Sequence, residues 1–517
     1  MAIAPHTDDT IFARASGAGR AGVAVFRLSG PKAAVIAERL AGRKLTPRRA
    51  SLAAVKDPAT GELIDRGLAI LFRAPASFTG EDVAEFHLHG SRAVEAAFAD
   101  AVAALGGRPA EPGEFTRRAL LNGKLDLAQV EALADLVDAE TSQQRRQALG
   151  QFEGRLSALA DGWRRRLIAV LAPLEADIDF PDEEDVPAAV AARAGPAIDA
   201  LLAELGSYRD GAGAARRLRD GVHAAIIGPP NAGKSSLMNA LAGSDVAIVA
   251  ATAGTTRDIV EARLDLGGVP VIVADTAGLR SETADAIEAE GMRRALARAG
   301  AADLRIMVID PLAEDWAFED EPSLTLPFQG RGQSVLREMS DKDRSAAPSL
   351  GKGGLSAPAS PSKPDLHPEE PPQGGVSKGA EREGSTSRRS LLRRGDIVVW
   401  SKKDLGGAPG GVPEGVVSFH LSAETGEGME GFLAALTAAA SRLAGGSEGA
   451  ALTRLRHVRA VEKAIAALER AKGRLASGPE LAAEDARLAA RALASITGAV
   501  DVEDVLGEIF ASFCIGK

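Results

Sequence analysis

The segment Gly228–Ser236, GPPNAGKSS, constrains this chain more than any other. Gly228, Gly233, Lys234 and Ser235 occupy the fixed places of the phosphate-loop pattern G-x-x-x-x-G-K-[ST]. An apolar, strand-type run, Val222–Ile227 (VHAAII), precedes it, and a helical run, Ser236–Ala242 (SLMNALA), follows. A loop of this kind works only between a strand and a helix. Its glycines let backbone N–H groups curl around a phosphate, and the helix N-terminus adds the positive end of its dipole. Lys234 is placed to reach the β- and γ-phosphates, and the Ser235 hydroxyl to bind Mg²⁺. The surrounding chain is therefore expected to be a doubly wound α/β domain.

Four further elements follow in order, three of them directly after a strand-like run. Gly254-Thr255-Thr256-Arg257-Asp258 supplies a Thr that can bind Mg²⁺ and sense a γ-phosphate. Asp275-Thr276-Ala277-Gly278 ends the run VPVIVA; Asp275 can hold Mg²⁺ and the Gly278 N–H can meet the γ-phosphate. Ser401-Lys402-Lys403-Asp404 follows IVVW. A carboxylate at Asp404 can accept from guanine's ring N–H and exocyclic amine, a donor pair that adenine lacks. Ser422, Ala423 and Glu424 follow VVSFHL and suit a base-contacting loop. The expected ligand is GTP, with Ser401 standing where Asn is usual. The residue after Gly278 is Leu279, where Ras-like proteins carry a water-orienting Gln. Arg257 and Arg280 are candidate charge donors, Asn231 a candidate ligand for a monovalent cation, and Glu288 a candidate for orienting water.

A chain of 517 residues exceeds one ordinary core and points to about three domains. From Asp9 to about Asn122 the pattern is mixed α/β, with strands at Val23–Leu28, Leu68–Phe72 and Val83–His89 and helices at Pro31–Leu40 and Ser91–Leu105. Gly17, Gly19 and Gly22 match G-x-G-x-x-G but precede a strand, so no dinucleotide site is read there. His87 and His89 share a strand face, with no Cys/His cluster to complete a metal site. Helical spacing takes over from Lys124 to about Arg219 and returns from Leu452 to Phe513. Between those blocks lies the α/β unit, so it reads as an insertion into one helical domain. Within it, Glu321–Ser390 holds nine Pro, nine Gly and twelve Ser, a composition that cannot bury enough surface to offset its ordering entropy. The net charge of −10 excludes a bulk nucleic-acid binder, leaving local basic clusters such as Arg145–Arg146, Arg164–Arg166 and Arg216–Arg217 for any RNA phosphate. The single cysteine, Cys514, excludes an intrachain disulfide. Neither a signal peptide nor a membrane span is read, and a cytoplasmic location is expected.

The residues now in view resemble the MnmE (TrmE) family of tRNA modification GTPases over nearly the whole chain. DTIFARASGAGRAGVAVFRLSG, SFTGEDVAEFHLHG, EPGEFTRRALLNGKLDLAQVEAL, IDFPDEEDV, GPPNAGKSSLMNAL, AGTTRD, DTAGLR and the terminal FCIGK carry the likeness. It implies an N-terminal folate-binding-like, dimerising α/β domain (1–122), a discontinuous helical domain (123–217 and 446–517) and an inserted Ras-like, doubly wound G domain (218–445). By motif position, Arg27, Glu85, Lys124 and Lys517 match the family's contacts to 5-formyl-tetrahydrofolate or a related folate. Asn231 matches its potassium ligand. The loop Ala250, Ala251, Thr252, Ala253, Gly254 and Thr255 matches the segment that wraps the potassium ion, with Ala250, Thr252 and Thr255 as K⁺ contacts. Ser235 and Thr256 match the Mg²⁺ ligands. The nucleotide set also takes in Ala232, Gly233, Lys234 and Ser236. Glu288 matches the water-orienting Glu, one residue farther from DTAG than is usual, and Cys514 a possible catalytic thiol. The resemblance further implies a cytoplasmic homodimer that works with an FAD-dependent MnmG-type subunit on C5 of the wobble uridine of certain tRNAs. Two alternatives remain at this level: a regulatory GTPase of ribosome assembly, and a non-hydrolysing nucleotide-binding scaffold.

Overall fold

The computed structural model describes residues 9–179, 189–229, 231–248, 261–275, 300–312, 392, 395–407, 409–410, 412, 415–445, 451–475, 478–499 and 516. The acidic stretch 180–188, the segments 249–260 and 276–299 and the insertion 321–390 lie outside them.

The N-terminal part is a six-stranded sheet of β1 (Thr10–Arg14), β2 (Ala21–Ser29), β3 (Ser51–Lys56), β4 (Leu63–Phe72), β5 (Val83–Gly90) and β6 (Gly107–Pro109), in the order β3-β4-β5-β2-β1-β6. All neighbours are antiparallel except β1 and β6. Alternate residues of its strands point into one core, among them Phe26, Leu28, Val55, Leu71, Phe86 and Leu88. That face is covered by α1 (Ala33–Ala41) and α2 (Arg92–Ala104), and Phe98 of α2 stacks within 4.9 Å of Phe26 and 5.2 Å of Phe86. The opposite face carries Arg27, Glu85 and His87, which the period of two places together.

Short helix α3 (Glu114–Leu121) leads to α4 (Leu127–Asp138) and α5 (Ser142–Phe152). Capping boxes start both of the latter: Asp126 with Gln129, and Thr141 with Gln144. Long helices α6 (Arg155–Asp179) and α7 (Ala189–Asp220) follow. Their core is shared with two helices from the far end of the chain, which are α10 (Leu455–Arg474) and α11 (Pro479–Thr497) in the numbering used here. Trp163, Leu201 and Leu205 pack in one cluster with Val461, Leu468, Leu493 and Ile496. One helical body is thus assembled from both sides of the α/β unit, as the sequence pattern predicts.

The inserted unit is a second six-stranded sheet, β12-β11-β10-β7-β9-β8, made of β7 (Val222–Ile227), β8 (Glu261–Leu266), β9 (Val269–Asp275), β10 (Leu304–Ile309), β11 (Ile397–Trp400) and β12 (Val417–His420). Only β8 runs antiparallel to its neighbour. Strands β10 and β11 are buried at every position, as a sheet with both faces covered requires. Helices α8 (Lys234–Ala242) and α9 (Met429–Ala444) lie against the same core.

Candidate functional site

Parallel strands β7, β10, β11 and β12 end together. Their register pairs Ile227 with Met307, Ile309 with Trp400, and Trp400 with His420. The loops leaving these ends therefore converge, which is where open α/β sheets bind ligands. Gly228 turns the chain off β7 with φ 149°, and a Cβ there would lie 2.1 Å from the Val308 carbonyl oxygen, so the phosphate loop can pass β10 only as glycine. Asn231 takes the left-handed conformation, φ 61°. Lys234 opens α8, is buried, and donates from Nζ back to the Pro229 carbonyl at 2.7 Å. Ser235 and Ser236 are exposed on the first turn of α8, and Ala232 is buried beneath the loop.

The loop after β11 closes against the phosphate loop. The Ser401 hydroxyl lies 2.7 Å from the Ala232 carbonyl and 3.1 Å from that of Ile309. Lys402 is left-handed (φ 56°), and its ammonium donates to Asp310 at 2.6 Å. That bond holds the Asp310 carboxyl below the usual range, against a smaller opposing effect of burial. Asp404 is exposed in a single 3₁₀ turn, Lys403–Leu405. The Lys403 N–H donates to Leu421 O at 3.2 Å and its ammonium pairs with Glu427 at 2.7 Å, which binds this loop to the one carrying Ser422, Ala423 and Glu424. Ser422 is buried and accepts from the Thr425 N–H at 3.2 Å; Ala423 is half-buried and Glu424 exposed. Asp275 stands opposite Ile226 in the β7–β9 register, one strand from the loop. A serine hydroxyl and a carboxylate are hard oxygen donors, the type Mg²⁺ takes. Among the described residues no cluster of three His, Cys, Asp or Glu side chains is poised for a metal.

Sequence reading missed Asp310. Its signal was available, an acid at the very end of the apolar run LRIMVI, where a strand delivers side chains to the site. Ala250, Ala251, Thr252, Ala253, Gly254, Thr255, Thr256, Thr276, Ala277, Gly278, Glu288, Cys514 and Lys517 lie outside the described residues.

A second constellation sits on the outer face of the N-terminal sheet. Arg27 and Glu85 are register partners on β2 and β5, and the guanidinium donates to Glu85 at 2.9 Å. The same guanidinium lies 5.3 Å from the Phe78 ring centroid and 5.8 Å from that of Phe115, a cation–π pocket. Lys124 reaches the Pro75 carbonyl at 3.1 Å and its stem packs by Gly80, so it joins the segment that carries Phe78. Gly516 lies with its backbone against Arg14 and Ala15, next to the strand position paired with Arg27. Gly516 thus lies against this sheet. His87 and His89 do not form a metal site: His89 bonds Asp65 at 2.9 Å and is exposed, and His87 stands 3.8 Å from Glu85. Arg118, itself buried, bridges Asp9, Glu81 and Glu114.

Two family models match the chain. One, described as the MnmE helical domain, covers residues 127–514, and one described as the GTP-binding protein TrmE N-terminus covers residues 10–124. The tRNA modification GTPase MnmE of Parvibaculum lavamentivorans is 48% identical over 98% of this chain and 100% of its own length. The proteins of the same name from Caulobacter vibrioides (45% identical, 98% and 100% covered) and Rhodospirillum rubrum (47%, 99% and 100%) agree. With both models matched and full-length identity near one half, the chain belongs to the MnmE family of tRNA modification GTPases.

Proposed function

We propose that the chain is a potassium-stimulated GTP hydrolase that takes part in modifying C5 of the wobble uridine of certain tRNAs. The observation that carries the nucleotide half is that Ser401 ties the loop bearing Lys402 and Asp404 to the phosphate loop bearing Lys234, at the ends of parallel strands. In this reading Lys234 releases the Pro229 carbonyl to engage phosphate, and Asp404 reads guanine. Ser235, with Thr256 and with Asp275 nearby, holds Mg²⁺, which neutralises charge on the β- and γ-phosphates. Asn231, with Ala250, Thr252 and Thr255, holds K⁺ in place of an arginine finger, and Glu288 orients the attacking water.

Family membership supports the tRNA half. The Arg27–Glu85–Lys124 face, with Lys517, is the proposed site of a 5-formyl-tetrahydrofolate-type donor. Aromatic rings beside a guanidinium suit a flat heterocycle with an anionic tail. Cys514 is proposed to act there as a thiol. The working form is proposed to be a homodimer joined through the N-terminal domains and completed by an FAD-dependent MnmG-type subunit, in the cytoplasm. Among the described residues no helix is long and apolar enough to cross a membrane. The test is the nucleoside profile of tRNA from cells lacking this chain, with hydrolysis compared in K⁺ and Na⁺. Loss of the C5-modified wobble uridine and faster turnover in K⁺ are expected. An unchanged wobble uridine refutes the tRNA role, and equal rates in the two salts refute the role given to Asn231.

A further inference from the structure

The nucleotide loops contain a substitution whose bonding decides how the base is read. Guanine presents its ring N–H and amine on one edge and two acceptors, N7 and O6, on the other. A side chain that reads N7 must donate a hydrogen. Asn, usual where Ser401 stands, has two amide hydrogens and can satisfy a protein carbonyl and a base acceptor at once. Ser401 has one hydroxyl proton. It is buried, 6% exposed, and its oxygen lies 2.7 Å from the Ala232 carbonyl and 3.1 Å from the Ile309 carbonyl. Both neighbours accept only, so the proton is committed to one of them. What remains on Oγ is lone pairs, which N7 cannot use. The Ser401 N–H is also taken, by Ile309 O at 2.9 Å, and the Lys402 ammonium is drawn to Asp310 at 2.6 Å.

We propose that Ser401 is a positioning residue that ties the phosphate loop, at Ala232, to the base-reading loop, and that this chain leaves guanine's N7 unread, resting its choice of base on Asp404. The proposal rests on the reading that the base lies beside residues 401–404. It separates two duties that one Asn would combine. The tether is kept, because Ala232 directly precedes the Gly233–Lys234 turn, and a slack loop there would misplace the lysine. The second base contact is given up.

The test is equilibrium binding of the full-length chain to GDP and to 7-deaza-GDP, which lacks the N7 acceptor. The unsubstituted chain is expected to bind the two within about twofold. Ser401→Asn should restore discrimination, favouring GDP by about fivefold or more, the worth of one net hydrogen bond. Ser401→Ala, which leaves the Ala232 carbonyl without its donor, should weaken both nucleotides by the same factor and leave their ratio unchanged. A wild-type preference for GDP of fivefold or more overturns the proposal, because it requires an N7 donor. So does a Ser401→Ala change confined to GDP. The ratio measured on the unsubstituted chain decides the matter even where a variant fails to fold. Asp404→Asn, assayed with xanthosine diphosphate, checks the underlying reading separately. Exchange of GDP for the xanthine nucleotide supports it, and failure to exchange refutes the base site itself, whatever the 7-deaza ratio.

Discussion

Two joints of the helical body are built in opposite ways. The joint that closes the body on itself, between α4 and the chain returning from the inserted unit, is made of buried charge. Glu131, 2% exposed at its side chain, takes Arg456 through both oxygens at 2.5 and 2.6 Å and His457 Nε2 at 3.0 Å. One turn on, Asp135 takes Arg454 at 2.6 Å and Arg219, the last arginine before the inserted unit, at 3.3 Å. Arg219 also donates to Thr453 O at 3.0 Å, so the strands of chain entering and leaving the inserted unit are pinned side by side. The joint between the helical body and the β8–β9 hairpin is thin. The Gln143 side chain and N–H donate to the Gly267 and Gly268 carbonyls at 2.8 and 3.3 Å, and Arg263 pairs with Glu140 at 3.0 Å on the surface. Removing one partner from the first joint strands the other away from water, which costs several kcal/mol. The second exchanges its bonds for water at little cost. The inserted unit is thus anchored at its root and lightly held at the β8–β9 hairpin.

The largest effect should come from breaking the buried joint. Glu131→Ala leaves Arg456 without its counter-charge and the buried His457 Nε2–H without its acceptor, and should cost about 3–5 kcal/mol. Chemical denaturation followed by the fluorescence of Trp163, which lies in this body, should show it. A loss below about 1 kcal/mol would mean the joint is not held by charge.

Acid should find the same joint. Burial holds His457 below its ordinary value of 6.5; Glu131 pulls the other way, while Arg456 and Arg454 push it down. The unpartnered, buried Nδ1 agrees with a neutral ring whose proton is on Nε2. Glu131 is raised by burial, but His457 and Arg456 overcome this and hold it at about 2. A histidine depressed in the fold contributes stability that is complete above pH 6.5 and declines as pH falls below it, because only the unfolded chain takes up the proton. The denaturation midpoint should drop between pH 7 and pH 5 while Glu131 stays ionised, and His457→Gln should flatten that slope.

The thin joint should respond less. Gly268 has φ +88°, and a Cβ there would lie 2.7 Å from Ser142 Oγ and 2.9 Å from Gln143 Cγ. Gly268→Ala should cost about 1–3 kcal/mol of backbone strain and lift the hairpin from α5. Faster hydrogen exchange at Gln143, with α10 and α11 unchanged, would mark the joint as separable. The smallest effect belongs to Glu140 and Arg263, whose double-mutant coupling should be about 0.2–1 kcal/mol and vanish in high salt. A larger coupling would put the two joints in one class.

Much of this was legible before the fold. The phosphate loop announced itself because strand, glycines, lysine and helix are consecutive, and Ser401–Asp404 because the loop follows an apolar run. Helical spacing in 452–513 pointed to a body shared across the inserted unit. What could not be read was pairing at distance. Glu131 and His457 stand 326 positions apart and look like ordinary polar helix residues. Ser401 could be seen to replace Asn, but not where its one proton goes. Asp310 looked like a strand end until Lys402 reached it.

The sequence by itself determined the phosphate loop, the alternation of strands and helices around it, and the family, because each is written in neighbouring residues whose local preferences agree. Only the tertiary structure decided that Arg27 and Glu85 are partners beside an aromatic pair, that Gly516 lies against the N-terminal sheet, that Ser401 bonds to the phosphate loop, and that one joint of the helical body is buried and the other exposed. The reason is physical: a hydrogen bond or an ion pair takes its strength from the burial of its partners, and burial belongs to the packed whole.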